Sequence, residues 1–149
     1  MKVSDVMVKK VITLEPEQTL EEAAKVLSQE NIGGAPVVKE GKVVGILSER
    51  DLLSTKTTPR PPRYLELLGG IIYLENVREF ERQLAKAVAT RVEEIMTADV
   101  VTIGPDSTLT QAAQMIMDHR VNRLPVVDGD GKLVGIVTRN DVLQGLMKV

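Results

Sequence analysis

The stretch GILSERD, residues Gly45 to Asp51, returns later in the chain as GIVTRND, residues Gly135 to Asp141. In both copies an apolar run contains a glycine, and a hydroxyl residue is followed three positions later by an aspartate. A hydroxyl and a carboxylate at this spacing are typical of a helix N-terminal cap. The free N–H groups of a helix start also attract anions, so the motif is compatible with a ligand site as well.

The repetition extends over most of the chain. Residues 3–38 align with residues 92–127 at an offset of 89, and residues 41–53 align with residues 131–143 at an offset of 90. Identical residues occupy 12 of 36 positions in the first block and 7 of 13 in the second. Identity in this order indicates two copies of one structural unit.

Each copy predicts the element order β-α-β-β-α. A short β-like segment, VITLEP or VVTIGP, ends at a proline. The first helix begins at a capping box, Thr19-x-x-Glu22 or Thr108-x-x-Gln111. Two apolar runs joined by a glycine-containing turn then predict a buried hairpin. The second helix begins at the hydroxyl residue of the opening motif.

The helix in each copy carries an apolar face at helical spacing. In the first copy this face consists of Leu20, Ala23, Ala24 and Leu27. In the second copy it consists of Leu109, Ala112, Ala113 and Ile116.

The size of the unit predicts how the two copies assemble. About 50 residues are too few to bury both faces of a sheet. We therefore predict an α+β fold in which the two copies pack sheet to sheet as a pseudo-twofold pair, with an inserted linker helix. The predicted boundaries are 1–53 for the first copy, 54–91 for the insert and 92–149 for the second copy.

The insert has three parts. TKTTPRPPR is proline-rich and predicts a stiff, cationic connector. YLELLGGIIYL is apolar around Gly69 and Gly70, and ENVREFERQLAKAVATR predicts an amphipathic helix. We expect this helix to pack on the pair or to form a dimer contact. A partner-binding or membrane-surface role for LLGGIIYL is the alternative to a simple lengthened linker. The apolar stripe of the helix comprises Val77, Phe80, Leu84 and Val88.

Composition argues against several classes of function. The net charge of −2 and the aromatic content of 2% disfavour nucleic-acid binding. The sequence has no cysteine, which excludes disulfides, thiolate metal sites and cysteine nucleophiles. The single histidine, His119, disfavours a histidine metal centre or a Ser-His-Asp triad and is read as a helix C-terminal or rim residue. No nucleophile, base and oxyanion set is recognisable, so catalysis is not expected.

The apolar segments are short. The longest run, Leu65 to Leu74, is about half of the roughly 20 residues that cross a bilayer. The N-terminal sequence lacks the apolar core of a signal peptide. A cytoplasmic location is therefore expected.

The order of these motifs, found twice, resembles the cystathionine β-synthase (CBS) domain in its usual tandem pair. The resemblance covers residues 1–53 and 92–149 and depends on the order, because each motif alone is short and common. It implies a disc-like pair with two clefts. Such clefts often hold adenosine-containing ligands such as AMP, ADP, ATP or S-adenosylmethionine, although some members bind none. Such pairs commonly dimerise and transmit a ligand-dependent change of shape to another protein.

The resemblance also implies the residues of each cleft. In similar proteins the aspartate binds the ribose and the hydroxyl residue lies near the phosphate, which here implies Ser48 with Asp51 and Thr138 with Asp141. A carboxylate can accept hydrogen bonds from both ribose hydroxyls. The strand threonines and two Pro-Val pairs would flank the base, namely Thr13, Pro36, Val37, Thr102, Pro125 and Val126.

Arginines distinguish the two copies. The second copy has Arg120 and Arg123 before its hairpin and Arg139 in its final motif. The equivalent residues of the first copy are Asn31, Gly34 and Glu49. Phosphate favours forked cationic donors, so we predict that the second cleft binds phosphate and the first binds weakly. NRLPVVD also resembles the phosphate-contacting stretch of the AMP-sensing subunits of AMP-activated protein kinase. A solvated surface role is the alternative for these arginines.

Together these observations predict a regulatory module without catalytic activity. It would bind an adenine nucleotide or S-adenosylmethionine, require no other cofactor or metal, form a homodimer and signal to a partner on another chain. The alternative is a scaffold or dimerisation protein with degenerate clefts that acts through residues 65–88. The sequence does not specify the ligand, the partner or the dimer arrangement.

Overall fold

The structure, a computed structural model, describes residues 1–54 and 62–148, with the side chains of residues 87 and 88 outside the description. Most of the predicted proline-rich connector therefore lies outside the described residues, as does the side chain of Val88 in the predicted stripe.

The two repeats have matching elements. The first contains α1 (Val3–Val6), α2 (Leu20–Gln29), β1 (Gly34–Lys39), β2 (Lys42–Ser48) and α3 (Glu49–Leu52). The insert contains β3 (Tyr64–Leu67), β4 (Gly70–Tyr73) and α4 (Val77–Ala89). The second repeat contains α5 (Val92–Ile95), α6 (Leu109–His119), β5 (Arg123–Val127), β6 (Leu133–Thr138) and α7 (Arg139–Met147). The predicted α+β fold built from two repeats is confirmed.

The buried hairpins lie where the sequence predicts them. Strand β1 pairs antiparallel with β2, and β5 pairs antiparallel with β6. Both hairpins shift register at the same point, after Val37 and after Val126. The two sheets are therefore copies of each other in detail as well as in order.

Each sheet is extended by a segment of the other repeat. Ile46 of β2 bridges Thr97, which follows α5, and Ile136 of β6 bridges Val8, which follows α1. The Ile46 N–H donates to the Thr97 carbonyl at 2.9 Å, and the Val8 N–H donates to the Ile136 carbonyl at 2.9 Å. The segment after each first helix thus crosses to the neighbouring repeat, so neither sheet is complete without the other.

The predicted β-like segments VITLEP and VVTIGP are only partly strand-like. Each makes a single parallel bridge, Leu14 to Val37 and Ile103 to Val126, and then turns at its proline. The proline that ends each segment leaves no room for a longer ladder.

The glycine of the repeated motif is required by the crossing segments. A Cβ atom at Gly45 would collide with the Met96 side chain and lie 3.1 Å from the Thr97 carbonyl oxygen. A Cβ atom at Gly135 would collide with Met7 and lie 3.1 Å from the Val8 carbonyl oxygen. The glycines therefore let the crossing backbone approach the central strands.

The crossing also exchanges core residues. Val92 of the second repeat is fully buried in the core formed by the first repeat's Leu14, Leu27 and Leu47. Val3 of the first repeat is fully buried in the core of the second. The apolar faces of α2 and α6 are buried as predicted, except that Ala24 is exposed and Ala113 is half-buried.

The apolar middle of the insert forms a β-hairpin, which the sequence analysis did not predict. Strands β3 and β4 pair antiparallel, and the two turn residues Leu68 and Gly69 both have positive φ, 51° and 80°. Two consecutive residues with positive φ define the type I′ turn, which matches the twist of a two-residue hairpin. Every described residue from Arg63 to Asn76 is exposed.

The amphipathic segment of the insert forms α4. The Asn76 side chain caps this helix by accepting a hydrogen bond from the Arg78 N–H at 2.9 Å. Val77 and Phe80 are half-buried, whereas Leu84 is 45% exposed. After the helix, the Thr90 carbonyl accepts the Leu20 N–H at 3.0 Å, which ties the end of the insert to the start of α2.

Candidate functional site

A cleft of about 430 Å³ lies between the two repeats. The first repeat contributes the end of β2 and the start of α3, including Ser48 and Asp51. The second repeat contributes Thr97 and residues 99–101 after α5, and residues 120–123 from the end of α6 to the start of β5. Pockets of about 300–1,000 Å³ are typical of small-molecule sites.

Ser48 and Asp51 form the helix cap that their spacing predicts. The Ser48 N–H and hydroxyl donate to Asp51 Oδ2 at 2.9 and 3.1 Å. The Asp51 N–H donates back to Ser48 Oγ at 3.4 Å. These bonds hold both half-buried side chains at the wall of the cleft, so capping positions the two residues without removing them from the site.

Thr138 and Asp141 repeat this cap at the start of α7. The Thr138 N–H donates to Asp141 Oδ2 at 2.9 Å, and the Asp141 N–H donates to Thr138 Oγ1 at 3.2 Å. Neither residue lines the cleft at Asp51. Arg139 donates from Nη1 to the Asn122 side-chain oxygen at 3.3 Å and is directed to the entry of β5.

The structure corrects the sequence-based placement of two arginines. The sequence analysis placed Arg120 and Arg123 with Asp141, but both line the cleft that contains Asp51. Arg120 ends α6 in the left-handed conformation with φ 54°, and Arg123 begins β5. The stretch from α6 to β5 lies next to the start of β1 in the first repeat. The guanidinium groups of the second repeat are therefore placed beside the first repeat.

Arg123 lies against the glycines of the first repeat. A Cβ atom at Gly33 would lie 3.0 Å from Arg123 Nη2, and a Cβ atom at Gly34 would collide with Nη1. Burial lowers the pKa of the Arg123 guanidinium, and the negative charge of Glu49 acts in the opposite direction. A guanidinium stays protonated in proteins, so the cleft keeps a half-buried positive charge.

The charges of the cleft are mixed. Its lining has three basic residues and three acidic ones. The basic residues are Arg50, Arg120 and Arg123, and the acidic ones are Glu49, Asp51 and Asp99. Such a lining can bind a ligand that has an anionic end and a hydroxyl-rich end.

The other predicted site residues are not brought to this cleft. Thr102 lines a separate surface depression of about 750 Å³, and Thr13 is exposed beside the bridge to β1. The two Pro-Val pairs are buried within the hairpins, at Pro36, Val37, Pro125 and Val126. Their side chains belong to the cores in this structure.

Several lining residues were missed by the sequence analysis. Thr97, Asp99 and Asn122 line the cleft, the first two because the segment after α5 crosses to β2. No local pattern signals them, since the first-repeat equivalents of Thr97 and Asp99 are Val8 and Lys10. Only knowledge that the segment after α5 pairs with β2 would have placed them at the site.

Two further properties concern the described residues alone. No group of three or more histidine, cysteine, aspartate or glutamate side chains among residues 1–54 and 62–148 is arranged to hold a metal ion. Within the same ranges, none of the helices has the length and apolar character needed to span a membrane.

The repeated fold and the cleft between its halves define a tandem-repeat protein of the kind that the sequence resembles. The family model for the CBS domain matches residues 3–56 and 92–148. The chain belongs to the CBS domain family.

Relatives match over nearly the whole chain. Uncharacterized protein MJ1426 of Methanocaldococcus jannaschii is 35% identical over 155 residues, which cover 99% of this chain and 92% of that protein. The crystal structure of CBSX2 in complex with AMP has a TM-score of 0.74 at 25% identity and covers 99% of this chain and 96% of that one. CBSX2 comes from Arabidopsis thaliana.

A second solved structure has a different ligand. The CBS domain pair of protein MJ0100, in complex with 5-methylthioadenosine and S-adenosyl-L-methionine, has a TM-score of 0.71 at 28% identity. It covers 99% of this chain and 97% of that one. These similarities extend across both repeats and the insert.

Proposed function

We propose that this protein is a regulatory module that binds AMP in the cleft containing Asp51. The observation that carries the proposal is the meeting of Asp51 from one repeat with Arg120 and Arg123 from the other in one cavity. The complex of CBSX2 with AMP supports the same class of ligand.

The chemistry of the cleft suits the two polar parts of a nucleoside monophosphate. The Asp51 carboxylate accepts hydrogen bonds from the ribose hydroxyls, which is a strong charge-assisted pairing. Arg120 and Arg123 donate to the phosphate, for which the forked guanidinium is well shaped. The apolar side chains of Ile46, Val100 and Val121 leave an apolar wall for the base.

Charge favours AMP over the other adenosine-containing ligands. The three cations of the cleft are matched by three carboxylates, so the excess positive charge needed by a triphosphate is missing. S-adenosylmethionine carries a cationic sulfonium where AMP carries the phosphate, so only its more distant methionyl carboxylate can pair with Arg120 and Arg123. AMP has one phosphate, which can pair with Arg120 and Arg123, and one ribose diol, which can pair with Asp51.

The sequence-equivalent positions around Asp141 do not offer the same chemistry. Asn31 and Gly34 stand where the second repeat has Arg120 and Arg123. A nucleotide at Asp141 would therefore lack two of the phosphate donors. We propose one high-affinity AMP site per chain, at Asp51, with at most weak binding at Asp141.

Regulation follows from the position of the cleft between the repeats. A ligand that contacts both repeats stabilises the arrangement in which its contacts are made, and it shifts the population towards that arrangement. Coupling of this kind is typically worth about 1–3 kcal/mol, enough for a several-fold change in affinity for a partner. The partner is proposed to be a protein on another chain, and the module itself a homodimer.

Titration calorimetry of the full chain tests the site. AMP is compared with adenosine, ATP and S-adenosylmethionine, and Asp51→Asn is compared with the matched variant Asp141→Asn. We expect Asp51→Asn to weaken AMP binding at least tenfold and Asp141→Asn to leave the tight site unchanged. Equal losses in the two variants would contradict the assignment, and the absence of heat with all four ligands would contradict the proposed ligand class.

The exposed hairpin favours one alternative function. A protein that acts as a scaffold through residues 65–88 would need an accessible apolar surface, and β3–β4 provides one. Unfolding temperatures that stay constant with every adenosine-containing ligand would favour this alternative, because a ligand at 100 times its Kd stabilises the native state by about 2.7 kcal/mol.

A further inference from the structure

The chain exposes an unusually large surface, and the hairpin of the insert is part of it. The chain exposes 10164 Å², whereas a compact monomer of 16.3 kDa exposes about 7,500 Å². The difference of about 2,700 Å² is that of the whole chain, and the exposed hairpin is one contributor to it. The described large apolar residues of the hairpin that contribute to it are Tyr64, Leu65, Leu67, Leu68, Ile71, Ile72, Tyr73 and Leu74.

A two-stranded hairpin alone is also an incomplete structure. Isolated hairpins are at best marginally stable in water, whereas three or more strands with an apolar face are stable. Alternation along β3 and β4 puts Leu65, Leu67 and Ile72 on one aliphatic face. The opposite face carries the Tyr64–Tyr73 pair, with ring centroids 6.5 Å apart. The aliphatic face needs a cover, and the strand edges need hydrogen-bond partners.

We propose that β4 pairs with β4 of a second copy of this chain, which creates a four-stranded antiparallel sheet across a twofold axis. This pairing extends the proposed homodimer by naming its surface, and it does not depend on nucleotide binding. Exposed apolar edge strands are ready templates for pairing with another chain. A second copy supplies partners for the free edge of β4, and it brings the aliphatic faces of the two hairpins side by side, so that each copy of Ile72 shields the other.

Charge selects β4 over β3 as the paired edge. Strand β3 carries Glu66, so pairing through β3 would bring two like charges into neighbouring positions of one face. Strand β4, Gly-Ile-Ile-Tyr, contains no charged residue and has high β-propensity. The charged pair Arg63–Glu75 lies at the open end of the hairpin, away from the centre of the new sheet.

The hydrogen-bond pattern of the hairpin fixes the register. The Leu74 N–H donates to the Arg63 carbonyl at 2.8 Å, so Ile72 and Gly70 also face β3. The backbone groups of Ile71 and Tyr73 therefore point outward. Pairing Ile71 with Tyr73 of the second copy uses all of these groups and places the two copies of Ile72 directly opposite each other.

Cysteine cross-linking tests this register, because the natural sequence has no cysteine. Opposed residues of a non-hydrogen-bonded pair have Cα atoms about 4.5 Å apart, within the range of about 4.4–6.8 Å for disulfides. Ile72→Cys is expected to give a disulfide-linked dimer on oxidation. Leu65→Cys, on the same face but one strand further away in each copy, is separated by about 14 Å and is expected not to link. Equal cross-linking of both variants, or of neither, would overturn the proposal.

A proline variant tests whether this edge holds the dimer together. Ile71→Pro removes an outward N–H and leaves the bonds between β3 and β4 in place. Sedimentation equilibrium of the full chain is expected to show a dimer for the natural sequence and at least a tenfold weaker dimer for Ile71→Pro. A dimer of unchanged affinity in Ile71→Pro would overturn the proposed pairing of β4. A natural chain that is monomeric and binds lipid vesicles through the hairpin would overturn it as well.

Nucleotide titration separates this proposal from the preceding one. AMP binding by Ile71→Pro is expected to stay within twofold of the natural sequence, because the hairpin lies outside both cores. Retained binding also shows that the variant is folded. A loss of AMP binding together with the dimer would mean that the hairpin belongs to the ligand site, which contradicts its independence.

Discussion

Arg123 and Gly34 occupy equivalent positions of the two repeats and lie against each other in the folded chain. The Arg123 guanidinium fills the space that a side chain at position 34 would need. Two arginines could not be placed there, so a large residue in one repeat requires a small one in the other. The duplication has therefore become asymmetric at this point, and the asymmetry puts a positive charge into the cleft beside Asp51.

Substituting Gly34 tests this relationship. Gly34→Ala is expected to destabilise the protein by about 1 kcal/mol, because the new Cβ displaces the end of the Arg123 side chain and crowds the backbone beside it. Arg123→Ala in the same chain should relieve part of the loss, but only part, since the Leu47 carbonyl oxygen also lies 3.0 Å from the new Cβ. Urea unfolding of the two single variants and the double variant measures the coupling. Strictly additive losses would show that the two residues do not contact each other.

Arg120 should distinguish AMP from adenosine. Arg120→Gln removes a phosphate donor, so we expect about tenfold weaker binding of AMP and no change for adenosine. The salt dependence of AMP binding should decrease as well, because one charge pair is lost. Arg78→Gln is the matched control, since Arg78 is exposed on α4 and does not line this cleft. Calorimetry at two salt concentrations measures both effects. Equal weakening of AMP and adenosine binding would mean that Arg120 does not contact the phosphate.

The glycines of the repeated motif should be intolerant of a methyl group. Gly45→Ala and Gly135→Ala each force a Cβ against a methionine side chain and a backbone carbonyl, so each is expected to cost about 1–3 kcal/mol. Gly129→Ala is the control, because nothing lies within 4 Å of its Cβ position and its φ is not in the left-handed region. Thermal unfolding of the three variants measures the difference. A Gly129→Ala variant as unstable as the other two would show that the effect is not steric.

Local patterns were sufficient to predict the elements of each repeat. The capping boxes at Thr108 and Ser48, the buried face of α6 and the two hairpins all follow from residue spacing within about ten positions. Such short-range signals arise from backbone hydrogen bonds and from the periodicity of burial. They are present in the sequence twice, which made the architecture evident.

Placement of the arginines could not be predicted in the same way. Which cleft Arg120 and Arg123 enter depends on how one repeat docks on the other, and no neighbouring residue encodes that. The exchange of Thr97 and Val8 between the sheets is likewise a long-range pairing.

The hairpin of the insert was missed for a different reason, since its apolar residues lie on both faces and show no alternation. Its available signal was the Gly69-Gly70 pair between β-branched and aromatic residues.

The exchange of segments should make the two repeats unfold together. Val92 completes the core of the first repeat and Val3 completes that of the second, so loss of either side chain weakens a core formed mainly by the other half of the chain. Val92→Ala and Val3→Ala are each expected to cost about 2 kcal/mol, since both residues are fully buried.

Native-state hydrogen exchange distinguishes coupled from independent repeats. In the coupled case, Val92→Ala lowers the protection of amides in β1–β2 and in β5–β6 by the same free energy, because the repeats open in one step. Leu143→Ala is the control, since its side chain is exposed on α7 and its loss should leave protection in both hairpins unchanged. If Val92→Ala lowered protection in β1–β2 alone, the repeats would unfold separately, and a ligand bound by one could not influence the other through the exchanged segments.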